Sequence, residues 1–199
     1  MRRHVLAGAV ALGLAALPAA AQQADGPFNG PYAGVYLGYA DYDLDLDLEG
    51  FNENPVNIDG AEYGVYGGYG LTFDGNLYAA GELEWGAGPS AENVFDESDV
   101  DFNVHSTYGI SGIFGYLPAP NTLVYGRLGW QQVMIEDKEV NRNEYLDGLR
   151  VGAGVEVAVT ENVRLRGEYA FTSYGKQDFS GIDVTTRQNL FRVGVAYAF

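Results

Sequence analysis

Apolar and polar residues alternate along most of this chain, and the last eleven residues show the pattern most clearly. Phe191, Val193, Val195, Tyr197 and Phe199 are bulky and apolar, while Leu190, Arg192, Gly194, Ala196 and Ala198 stand between them. A period of two over this length predicts a β-strand with two unlike faces. The same period recurs upstream and predicts strands over 32–42, 62–71, 77–85, a fourth ending near 116, then 123–134, 150–159 and 163–171. The apolar positions include Val35, Leu37, Tyr39, Leu83, Trp85, Leu128, Trp130, Val155 and Leu165. The alternate positions carry Tyr36, Glu82, Glu84, Arg127, Glu156, Arg164, Arg166 and Glu168.

Connection lengths set the architecture. Three are short, at 72–76, 117–121 and 160–162. Four are long, at 43–59, 86–103, 136–145 and 173–186. Both chain ends lie on the short-turn side. Long loops at one end and short turns at the other are the asymmetry of a transmembrane barrel. The fold class expected is all-β: an eight-stranded antiparallel up-and-down transmembrane β-barrel, closed so that no edge is left unpaired. Mean hydropathy is only −0.12. That value is compatible with a barrel, in which only alternate residues face lipid.

The N-terminus predicts export. Met1-Arg2-Arg3-His4 is basic, 5–17 is apolar, and Pro18-Ala19-Ala20-Ala21 is small, the order of a cleavable signal peptide over 1–21. The barrel domain is then 22–199. The chain has no cysteine, so stability cannot rest on disulfides. Formal charge is −16, and −18 without Arg2 and Arg3 (nine basic against 27 acidic). Such a balance excludes nucleic acid as a partner, because phosphate contact requires a basic surface.

Charge placement separates loops from lumen. Most acidic residues fall in the long connections and their margins, among them Asp41, Asp43, Asp45, Asp47, Asp59 and Glu62. Five arginines, Arg127, Arg150, Arg164, Arg166 and Arg192, fall on inward strand positions with Glu82, Glu84, Glu156 and Glu168. Opposite charges in near-equal number inside a narrow barrel predict an ion-paired lumen, since unpaired charges there would be very costly. An eight-stranded barrel is only wide enough for its own side chains.

The chain resembles the small OmpA-type outer-membrane barrels, and among them the short single-domain surface proteins of alphaproteobacteria. The resemblance rests on Gly67-Gly68-Tyr69, Glu82, Arg127-Leu128-Gly129, Gly154-Val155-Glu156, Arg166 with Glu168-Tyr169, and the terminal Phe199. It implies a lumenal ion-pair network at positions such as Glu82, Glu156 and Arg166. It also implies that the strand ending in Phe191, Val193, Val195, Tyr197 and Phe199 is an assembly signal read by the barrel-assembly machinery. OmpA itself continues into a peptidoglycan-binding domain, whereas this sequence stops at Phe199, so cell-wall anchoring is not carried over.

The function expected is a structural or surface-interaction role in the envelope, as a monomer against outer-membrane lipid and lipopolysaccharide, with no cofactor and no catalytic residues. The alternatives are a lipid A-modifying enzyme or a narrow low-conductance porin. Nucleophilic chemistry needs a hydroxyl or thiol beside a positioned base. His105, near Ser98, Ser106 and Ser111, is the one histidine after the signal, and it reads as a rim residue. Glu82 and Glu84 read as salt-bridged rather than as an acid–base pair. The Asp41-Asp43-Asp45-Asp47 alternation lacks the glycine and terminal Glu of a dedicated calcium loop, so no metal site is expected. A soluble lipocalin-like carrier would need an apolar interior, and here the inward face carries the charges.

Overall fold

The computed structural model describes residues 26–47, 56–88, 90–91, 102–137, 142–179 and 182–199. Nine strands occur among them: β1 Gly30–Asp47, β2 Val56–Phe73, β3 Leu77–Ala87, β4 Ser90–Ala91, β5 Phe102–Ala119, β6 Thr122–Asp137, β7 Arg142–Ala158, β8 Val163–Phe179 and β9 Ile182–Ala198. Strand β4 is a two-residue extension paired with β5. The other eight pair antiparallel with their sequence neighbours, and β1 pairs with β9 to close the barrel. The signal peptide predicted over 1–21 lies outside the described residues.

The first short turn follows from its sequence. Asp74 and Gly75 have φ of 49° and 78°. Positive φ at both central residues is what the mirrored hairpin turn requires, and Asp-Gly tolerates it best. The chain reverses at 120–121 and 159–162, so these turns and the C-terminus share one end.

The strands run further than the sequence pattern suggests. Strand β1 has 18 residues, or roughly 60 Å at about 3.3 Å per residue. The lipid-facing band of such barrels is only about 25 Å tall. Among the described side chains, the outward apolar residues accordingly reach Tyr39, Tyr63, Trp85, Tyr108 and Trp130, all exposed. The barrel wall continues past them as a collar of extended strands. Asp43, Asp45 and Asp47, assigned above to a connection, belong to β1, where Asp43 is paired with Arg187 and Asp47 with Asp183 in register. Asp disfavours strands, but Asp43 has partners on both β2 and β9, and β9 carries the ladder on through Asp45 and Asp47.

Inside, aromatic rings lie across glycines. Tyr32 is opposite Gly68, Tyr66 opposite Gly34, Tyr36 opposite Gly64, and Tyr125 opposite Gly154. A Cβ at Gly68 would lie 2.7 Å from the Tyr32 hydroxyl and closer still to the Gly81 carbonyl oxygen. Gly68→Ala should therefore push Tyr32 off Glu82 and destabilise the barrel by about 1–3 kcal/mol. Gly167→Ala is the control, because nothing lies within 4 Å of that position, and its effect should stay within about 0.5 kcal/mol. Urea unfolding midpoints of the two variants in micelles check the difference.

Candidate functional site

Strand parity aims one face of every strand into the barrel, and that face holds the functional chemistry. Arg127, Arg150, Arg164, Arg166 and Arg192 are all buried, as are Glu82, Glu84, Glu156 and Glu168. They form one connected chain of alternating charge. Arg164 Nη1 lies 2.9 Å from Glu156 Oε1, whose other oxygen accepts from Arg166 Nε at 2.8 Å. Arg166 Nη1 reaches Glu82 at 2.7 Å, and Glu82 also meets Arg127 at 2.5 Å. Arg127 and Arg192 share Glu168 at 3.0 and 2.6 Å. Arg192 then reaches Glu84 at 3.0 Å, and Glu84 pairs with Arg150. A longer cross-tie of 3.4 Å joins Arg127 to Glu84.

Burying charges in a low-dielectric interior is costly unless hydrogen bonds and counter-charges replace the water lost. Here tyrosines supply part of that replacement. Tyr32 donates to Glu82 at 2.9 Å, and Tyr125 donates to Glu168 at 2.5 Å. The Arg166 guanidinium sits 4.3 Å from the Tyr66 ring centroid, Arg192 4.7 Å from that of Tyr36, and Arg164 4.5 Å from that of Tyr32. Cation–π attraction strengthens when both partners are dry.

Glu62 requires a correction. Sequence position grouped it with the acidic loop margins, but it is fully buried inside the barrel. Tyr36 donates to it at 3.1 Å and Gln188 Nε2 at 2.8 Å, while Gln188 Oε1 accepts from Arg150 at 3.2 Å. Gln188 thus couples Glu62 to the end of the ion-pair chain. Among the described residues the buried set becomes five glutamates and five arginines, which balance formally. The parity of β2 places Glu62 on the inward face; the sequence did not show how far the lumen extends.

Apolar plugs close both ends of this network. At the short-turn end, Phe28 folds in from the turn before β1 and packs with Tyr78, Ile113, Leu117, Leu123 and Ala158. Sequence reading missed Phe28, which belongs to no strand. At the other end Ala40, Tyr42, Val133, Ala170, Tyr174 and Leu190 form a second cluster. His105 lies at the register shift between Val104 and Ser106, Ser106 and Ser111 are buried, and Ser98 is outside the described residues. Among the described residues, no group of His, Cys, Asp and Glu is arranged to hold a metal ion.

The outer face completes the definition. Phe191, Val193, Val195, Tyr197 and Phe199, the proposed assembly signal, are exposed together on β9 and just past its end, with Val193 and Phe199 at 65% and 71%. Exposed apolar residues continue around the belt, an arrangement stable only in lipid. A closed barrel, greasy outside and ionised within, is an integral membrane β-barrel.

The chain belongs to the outer membrane protein beta-barrel domain family, whose model matches residues 7–199. It is an outer-membrane protein. A "22 kDa outer membrane protein" of Rhizobium leguminosarum is 31% identical over 127 residues, 60% of this chain and 59% of that protein. This chain therefore spans under two thirds of that relative. The "25 kDa outer-membrane immunogenic protein" of Brucella melitensis is 27% identical, over 70% of this chain and 78% of the other. Among solved structures, the Yersinia pestis attachment invasion locus protein Ail, in complex with the heparin analogue sucrose octasulfate, superposes with a TM-score of 0.52 at 15% identity. It covers 85% of this chain and 99% of that one. Neisserial surface protein A gives 0.51 at 18% identity, covering 84% and 97%. Both establish likeness of fold.

Proposed function

We propose that this protein is a non-catalytic barrel that contributes to envelope structure and holds an acidic collar at the cell surface. The observation that carries this reading is the lumen. Among the described residues, a formally balanced chain of buried ion pairs runs between two clusters of buried hydrophobic residues, which supports a filled lumen rather than an open channel. Relatives named as outer-membrane immunogenic proteins fit a collar displayed outward. In this reading the monomeric barrel contacts outer-membrane lipid and lipopolysaccharide. The barrel-assembly machinery recognises the strand from Phe191 to Phe199.

Conductance and lipid chemistry test it together. The purified barrel in a planar bilayer should pass no more than a low, flickering current, and a deletion strain should keep the wild-type lipid A pattern by mass spectrometry. Stable channels of porin size would establish the narrow-porin alternative. Altered lipid A acylation would establish an enzyme.

A further inference from the structure

The arginine nearest the short turns stands apart from the other four. Arg164 follows the first residue of β8, and its side chain is fully buried. Neither Nε, Nη1 nor Nη2 makes a hydrogen bond. Nη1 lies 2.9 Å from Glu156 Oε1, yet neither atom has a hydrogen-bond partner, so the contact is electrostatic only. Glu156 is also divided, because its other oxygen accepts from Arg166 Nε. Aromatic rings cover the Arg164 guanidinium instead: Tyr32 at 4.5 Å and Phe28 at 5.6 Å between guanidinium carbon and ring centroid. Ring faces attract the charge but leave the directional N–H bonds unmade, which is costly for a buried cation.

Charge is spread unevenly along the network. Among the described residues, direct ion pairs join five arginines to four glutamates. Glu62, the fifth buried glutamate, is held by Tyr36 and Gln188 at the collar end. The surplus cation therefore lies at the short-turn end, one barrel length from the carboxylate that balances it. Phe28 stands between Arg164 and the short-turn mouth, and it is no part of the sheet. It sits in a turn closed by Asn29 N donating to Gly26 O at 3.3 Å. Gly26 and Gly30, with φ of 124° and 91°, flank the turn, and such angles favour glycine. Asn29 Oδ1 ties the turn to β2 by accepting from the Thr72 amide at 2.6 Å.

We propose that Arg164 is an anion-binding site covered by Phe28 as a lid, and that its ligand is a small soluble oxyanion such as inorganic phosphate. With the lid down, the two rings neutralise part of the charge. With the lid lifted, two oxygens of the anion meet Nε–H and an Nη–H side by side, the fork that a guanidinium offers to phosphate. The anion adds the negative charge that Glu156 divides between two arginines. A lipid headgroup carries the same phosphate, but its chains cannot follow it into a barrel this narrow. Only the lifted state binds, so apparent affinity is reduced by the fraction of barrels in that state. The site goes beyond the structural role proposed above.

Removing the lid and removing the guanidinium should act in opposite directions. Inorganic phosphate is titrated calorimetrically into the folded barrel in detergent micelles at constant ionic strength. Phe28→Ala should bind one phosphate at least about tenfold more tightly than the wild type, because the lid no longer competes. Arg164→Gln in the same background should lose the binding, whereas Arg187→Ala, exposed on the collar, should keep it. Phosphatidylglycerol added to the micelles should not displace the phosphate, and displacement would overturn the soluble ligand. Hydrogen exchange on the wild type gives a second readout that does not depend on either variant folding. Phosphate, but not chloride, should speed exchange of the Thr72 amide, which loses Asn29 when the lid lifts. Equal affinity of wild type and Phe28→Ala overturns the lid. Binding that survives Arg164→Gln, or Thr72 exchange indifferent to phosphate, overturns the site. None of these readouts bears on the filled lumen, which conductance tests separately.

Discussion

Arg166→Ala is expected to cost the barrel about 3–5 kcal/mol, the penalty for leaving a buried countercharge unpaired. Arg166 joins Glu82 and Glu156 and faces the Tyr66 ring. Its removal leaves five buried glutamates against four arginines. Arg187, exposed on the outer wall, is the control, and Arg187→Ala should change stability by only about 0–1 kcal/mol. Urea unfolding in micelles reads both. If the two midpoints coincided, the network would contribute nothing beyond a surface charge. Removing Glu156 as well restores the balance of charge, so Arg166→Ala/Glu156→Ala should lose less than the sum of its single variants, as coupled sites do.

Phe28→Ala should be comparably damaging, at about 3–5 kcal/mol for a truncated core aromatic. Phe28 is fully buried, meets the Tyr78 ring edge-on at 6.2 Å, and lies 5.6 Å from the Arg164 guanidinium. Truncation would open a cavity beneath the lowest arginine and admit water to the end of the ion-pair chain. Two readouts are therefore expected: a lower unfolding midpoint, and faster hydrogen exchange at the amides of the short-turn end than at the collar. Unchanged exchange with an unchanged midpoint would mean that the barrel is sealed without its N-terminal turn.

The sequence made some of this legible and hid the rest for physical reasons. The inward arginines and glutamates were readable because a strand's period of two assigns faces before any partner is known. Asp43, Asp45 and Asp47 were read as a connection because aspartate is a poor strand former, although their alternation with Tyr42, Leu44 and Leu46 already had the strand period. Phe28 was invisible because no periodicity attaches to a residue in a turn. Glu62 had a readable face but an unreadable depth, because nothing local marks where lumen ends and loop begins.

What the sequence determined by itself is therefore facing: which side chains meet lipid, which enter the barrel, and that eight such strands close on themselves. Partnership was decided only by the tertiary structure. Arg166 meets Glu82 across 84 residues of chain, and Gln188 meets Glu62 across 126. Those meetings depend on barrel closure and the stagger between strands. Moving one strand by two residues would preserve every facing and change every pair, because a period of two cannot tell one even register from the next.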